Sequence, residues 1–168
     1  VFGTNAGGQA FLGAVCGANK SSGASSTFGI YNGSLFYLIV AHELGHQFGA
    51  SHTFNLCDGE NESSGTAFEP GSGSTIMCYA GASDCGPNYV QDRNDPYFHH
   101  ASLQQINNFK ISAGSRCADI TPLNSIMPMA VIPNKGSTHI PRGTPIKLDG
   151  QGVDADGDSL TYCWEQYN

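Results

Sequence analysis

Between residues 35 and 48 the chain is apolar on every side except at His42, Glu43, His46 and Gln47, and Gly45 is its only glycine. That run contains no proline and predicts an α-helix, and its all-round apolarity predicts a buried one. Ser34, after Asn32 and Gly33, is placed to cap its start. Two imidazoles and a carboxylate inside such a helix need a partner that compensates their burial. Elsewhere the pattern comes in shorter pieces. Residues 10–15 are apolar between glycines and read as a strand, and residues 27–31 read as another. Residues 19–26 read as an exposed loop and residues 55–74 as irregular chain. Ser102-Leu-Gln-Gln has the form of a capping box that opens a second helix, with Leu103, Ile106 and Phe109 on one side. After the proline-richer residues 121–133 the period changes to two, with Ile146 and Leu148, then Leu160, Tyr162 and Trp164, on strand faces. The expected class is therefore an α/β core over residues 1–121. An incomplete all-β segment with β-sandwich, Ig-like patterning follows over residues 122–168.

Composition narrows the setting. Only 12% of the 168 residues are charged while glycine reaches 22, which suits a loop-rich extracellular protein. The net charge of −7 with no basic patch argues against a nucleic-acid partner. The longest apolar run, residues 35–41, is too short to span a membrane. The first residues lack a basic start and an apolar signal core, so the chain reads as processed or excised. Six cysteines without a C-x-x-C pair argue against a zinc knuckle and for an oxidising compartment. Their pairing stays open at this level.

The chemistry lies in His42-Glu-Leu-Gly-His-Gln-Phe-Gly-Ala-Ser-His52. Residues four apart on a helix share a face, so His42 and His46 can grip one ion. Glu43 stands one step round, beside the metal. Gly49 can take φ > 0, end the helix and turn the chain so that His52 returns as the third ligand. Three imidazoles leave a position for water on a zinc ion, and Glu43 is placed to take that water's proton during attack on a peptide carbonyl. The expected cofactor is Zn²⁺ and the expected substrate a protein or peptide. No G-x-S-x-G or Cys–His frame supports a serine or cysteine protease. A silent binding module that keeps the fold is the competing reading, and the intact His42, Glu43, His46 and His52 argue against it.

The H-E-x-x-H-x-x-G-x-x-H pattern, followed by Ser74-Thr-Ile-Met-Cys-Tyr79, resembles the metzincin clan of zinc peptidases. The resemblance implies a catalytic core with a mixed sheet, a zinc-binding helix and a C-terminal helix. It makes Met77 the apolar floor beneath the histidines and Tyr79 a zinc ligand at rest or an oxyanion support. Residues 8–16 resemble the edge strand of the reprolysins, on which Gly8, Gln9, Ala10 and Phe11 would pair with substrate. Phe11 and Val15 would share the face turned to the core. The same resemblance implies Cys16–Cys117 and Cys57–Cys85 disulfides. Thr53 stands where adamalysins carry Asp, and a bacterial reprolysin-like peptidase fits best. Such a domain ordinarily has several strands and a helix before the zinc helix, more than 41 residues supply, so part of it is expected elsewhere in a longer multidomain chain, secreted or at the cell surface.

Two features lie apart. Asp154, Asp156 and Asp158 form an acidic loop that reads either as a Ca²⁺ site or as a solvated turn. An EF-hand is rejected, because its sixth position is Ser159 rather than glycine. His99 and His100 read as surface or capping residues.

Overall fold

The apolar run after Gly33 forms helix α1, Ser34–Gln47, in the computed structural model, which describes residues 7–27, 33–57, 61–81, 83–132 and 139–167. Gly33, in extended conformation, takes the N-cap place expected of Ser34, and its carbonyl accepts the Phe36 N–H at 3.0 Å. Burial along α1 is confined to Glu43 and Gly45, the other positions being half-buried or exposed. Leu35, Tyr37 and Leu44 are exposed, so α1 is not the all-round buried helix that its composition predicts. The described elements cover one side of it only.

Strand β1, Gly7–Gln9, pairs antiparallel with β2, Ala24–Ser26, and Gly8 stands opposite Ser25. The strand thus ends before residues 10–15, the ones expected to form it, and part of the expected loop is its partner. Residues 10–15 instead run past the end of α1. The N–H groups of Gly13 and Val15 donate to the carbonyls of His46 and Gln47 at 2.8 and 3.2 Å. The last helical carbonyls lack intrahelical partners, and this segment satisfies two of them. Phe11 is 54% exposed rather than in the core, and Ala14 is buried instead. Of the strand expected over residues 27–31, Thr27 lies outside any strand and the rest lies outside the described residues.

Within the stretch expected to be irregular, β3, Phe54–Asn55, and β4, Glu69–Pro70, form a short parallel pair. Helix α2, His100–Ser112, starts two residues ahead of the Ser102 box. His99 caps it by accepting the Ala101 N–H at 3.1 Å. His99 is 1% exposed, with its ring stacked on Phe68 and Tyr167, so it caps the helix but is not at the surface; His100 is exposed. Leu103 faces out, while Ile106 joins Leu38, Ala41 and Phe98 around buried Ala50, Ile76 and Met77. Phe109 fits against Gly49, where a Cβ would stand 3.2 Å from its own Cβ. A second cluster holds Phe54, Cys57, Cys78 and Cys85, with Tyr79 packed on it.

Disulfides join Cys16 to Cys117 and Cys57 to Cys85. The first fastens the segment after β1 to the turn that follows α2. The chain divides into two compact units, one reaching to Ile120 and including residues from Glu165 onward, the other Thr121–Trp164. Among the described residues the second unit holds one antiparallel pair, β5, Met129–Val131, and β6, Gln151–Val153. Ile146, Leu148, Tyr162 and Trp164 are exposed and lie outside any strand, contrary to the alternation. Alternation alone does not supply the hydrogen-bonding neighbour that a strand requires.

The Cys16–Cys117 bond spans 101 residues of sequence, so its loss releases much chain entropy on unfolding. Replacing both cysteines by serine should lower unfolding stability by about 2–5 kcal/mol. Urea denaturation of the two proteins checks this, and an unchanged midpoint would contradict it.

Candidate metal centre

α1 presents His42 and His46 one turn apart. It ends at Gln47, and Gly49, at φ 91°, makes the turn that a Cβ would strain. Its N–H and that of Ala50 close on the carbonyls of His46 and Gly45 at 2.8 and 2.9 Å. Gln105 of α2 accepts the Ser51 N–H at 2.9 Å and holds the turn from outside. His52 thereby comes back over α1. The three Nε2 atoms form a near-equilateral triangle: 3.0 Å from His42 to His46, 3.1 Å from His46 to His52 and 3.2 Å from His42 to His52.

The other ring nitrogens decide what this triangle is. Nδ1 of His42 lies 2.7 Å from the Ile76 carbonyl, Nδ1 of His46 2.8 Å from that of Ala50, and Nδ1 of His52 2.6 Å from that of Asn61. A carbonyl only accepts, so each Nδ1 carries the proton and each neutral ring turns a lone pair inward from Nε2. Three converging lone pairs repel unless a cation sits among them. Tetrahedral zinc with nitrogens at about 2.0–2.1 Å calls for N···N edges of about 3.3 Å, close to those found. The donor set fits the ion.

Electrostatics agree with neutral rings. Burial, then the neighbouring charges of His46 and His52, push His42 down to about 3, against the raising effect of its bond to Ile76. Burial likewise lowers His46. Glu43 is buried, and its Oε2 has no hydrogen-bond partner among the described residues. Burial pushes its carboxyl up to about 7. Gly8 of β1 lies directly over that carboxyl, where any Cβ would overlap it.

Beneath the helix, Met77 is fully buried, and a Cβ on Gly45 would lie 2.5 Å from its Sδ. A glycine that is unfavourable in a helix is thus matched to the thioether packed against it. The Tyr79 ring sits edge-on to His52, with centroids 4.8 Å apart, and lies 6.0 Å from that of His42. Gln9 is exposed on β1, followed by half-buried Ala10 and exposed Phe11. The acidic loop lies in the other unit: the Asp154 carboxylate accepts the N–H groups of Asp156 and Asp158 at 2.9 and 3.1 Å, and Asp156 accepts that of Ile126 at 2.6 Å. These bonds make it a self-capped turn.

Residues 3–109 match the model of a family described as metallo-peptidase family M12B, reprolysin-like. The chain belongs to this family. No curated protein and no solved structure matches it. The reprolysin-like assignment makes it a zinc metallopeptidase at family level, in accord with the triad His42, His46 and His52.

Two residues of this reprolysin-like site escape motif reading. Asn94 donates from Nδ2 to the carbonyls of Thr75 and Cys78 at 2.6 and 2.9 Å, clasping the turn around Met77. Glu69 reaches the same turn from the other side. Burial alone would raise its pKa, but hydrogen bonds from Cys78, Thr53, Thr75 and the Ser74 N–H hold it below the usual range. Its one signal in the sequence is isolation: Glu69 is the only charged residue between Ser63 and Ser83.

The raised Glu43 carboxyl has a definite linkage sign. The folded chain takes up this proton before the unfolded chain does, so its contribution is full below pH 4.5 and fades as the pH rises through about 7. In metal-free protein, the wild type should therefore gain stability relative to Glu43→Gln as the pH falls from 7 to 4.5. Thermal melts of both proteins in chelator across that range measure it, and parallel profiles would contradict the assignment.

Proposed function

We propose that this chain carries the catalytic machinery of a secreted zinc endopeptidase, with His42, His46 and His52 as metal ligands and Glu43 as general base. The convergence of three Nε2 lone pairs, each fixed by an Nδ1–H bond to a backbone carbonyl, carries this reading. When bound, zinc supplies Lewis acidity that polarises a water and the scissile carbonyl. Glu43 takes a proton from the attacking water and passes it to the leaving amine. A carboxyl lifted towards 7 by burial serves both steps near neutral pH.

Substrate backbone adds as a strand along Gly8, Gln9, Ala10 and Phe11. In support, β1 pairs only with β2 among the described residues and is exposed along its length. Main-chain pairing holds an extended peptide without demanding particular side chains, which suits cleavage at internal bonds. The Tyr79 hydroxyl supports the oxyanion, a role favoured by its ring packing on His52. Gly49 and Met77 shape the site without touching substrate. Two disulfides and few charges favour an extracellular setting, secreted or at the cell surface. No helix among the described residues is long and apolar enough to cross a membrane. In this reading the segment after about residue 122 is a separate module with Ig-like patterning. Only the β5–β6 pair supports that last point. The Asp154, Asp156 and Asp158 carboxylates, whose oxygens converge to within 4.8 Å of one another, are the candidate Ca²⁺ ligands of this reading and stand apart from the zinc chemistry.

Glu43→Ala should keep one zinc per chain and lose casein cleavage by about 10²–10⁴-fold, while His52→Ala should lose the metal. Elemental analysis and turnover assays read both, and near-normal cleavage by Glu43→Ala would sink the mechanism. Tyr79→Phe should lower kcat by about 100-fold with KM little changed. A rise in KM at constant kcat would instead make Tyr79 a simple binding residue.

A further inference from the structure

Glu69 is a second buried carboxylate near the triad, and it is surrounded by donors. Its Oε1 accepts the N–H groups of Ser74 and Thr75, both at 3.0 Å. Its Oε2 accepts the hydroxyls of Thr53 and Thr75, both at 2.6 Å, and the Cys78 thiol at 2.8 Å. We propose that Glu69 is a positioning residue for the metal centre, fixing two of the three imidazoles through the segments next to them.

Thr53 follows His52 directly, and the Glu69 N–H also donates to the Thr53 carbonyl at 2.8 Å. One side of Glu69 therefore holds the chain that delivers the third imidazole. Thr75 precedes Ile76, whose carbonyl accepts the Nδ1–H of His42 at 2.7 Å. The other side of Glu69 therefore holds the carbonyl that fixes the first imidazole's rotation and tautomer. Only an acceptor-only group suits a site ringed by two amide hydrogens, the hydroxyls of Thr53, Thr75 and, at 3.4 Å, Ser74, and a thiol. Glutamine has the same shape but would turn an NH₂ donor towards that ring. Groups that orient metal ligands typically change affinity by about 10–100-fold when altered.

The inference rests on the zinc reading above. Its test uses the full chain with both disulfides formed. Zinc affinity is measured by competition with a chromophoric chelator, and the visible spectrum of the cobalt-substituted protein reports ligand geometry. Melts in chelator record stability separately, and titrations are run well below the melting temperature. Glu69→Gln should bind zinc about 10–100-fold more weakly and shift the cobalt bands, with Thr53→Val displaced in the same direction to a smaller extent. A purely structural Glu69 would lower the melting temperature and leave the affinity and spectrum of the folded protein unchanged; that result overturns the proposal. Should Glu69→Gln fail to fold, Thr53→Val decides, since it removes a single hydroxyl from the same carboxylate, and wild-type affinity there overturns the proposal. Wild-type protein that binds no zinc overturns the peptidase reading itself.

Discussion

Three imidazoles whose Nδ1 hydrogens are all committed to backbone carbonyls have only their Nε2 lone pairs left, and those point at one another. Much of the local structure serves to put the carbonyls where they are. Ala50 sits in the turn made by Gly49, Ile76 in the turn that carries Met77, and Asn61 in the loop after β3. Each imidazole is thus oriented from a different piece of chain. Rings held this way have a defined rotation and tautomer before any ion arrives, so little ordering remains for binding to accomplish.

The two buried carboxylates of this region are treated in opposite ways. Glu43 has an oxygen without a partner among the described residues and is pushed up by burial, whereas Glu69 is ringed by donors and held down. Environments that separate two like groups separate their roles as well. An unsatisfied, proton-accepting carboxyl beside a metal centre suits chemistry. A fully bonded one suits architecture, since moving it would leave several donors unpaired at once.

Covalent and packing constraints hold this arrangement in a region with little regular structure. Among the described residues the strands of the first unit are two or three residues long, and its sheets are pairs. The Cys16–Cys117 and Cys57–Cys85 bonds, the Asn94 clasp and the fit of Phe109 against Gly49 take over what longer sheets do elsewhere. Loop-rich chain of this kind keeps its shape through side-chain-to-backbone bonds and cross-links more than through ladders.

What the sequence determined by itself was the helix and the histidines that converge on it. A period of 3.6 makes His42 and His46 neighbours wherever the helix lies, and Gly49 is the residue that allows the turn to His52. The pattern also announced a second helix, because a helix rests on local spacing. Tertiary structure decided the rest. Ala10 to Val15 look like a strand, but they satisfy open carbonyls at the end of α1, a demand invisible in their own residues. Ser102 has the form of a cap, yet buried His99, packed beside the stacked rings of Phe68 and Tyr167, does the capping. Glu69 shows nothing locally beyond its isolation, since its donors come from residues 53 and 74 to 78 and meet it only when the chain is folded. Periodicity and backbone freedom are properties of neighbouring residues; hydrogen-bond satisfaction is a property of the whole packed chain.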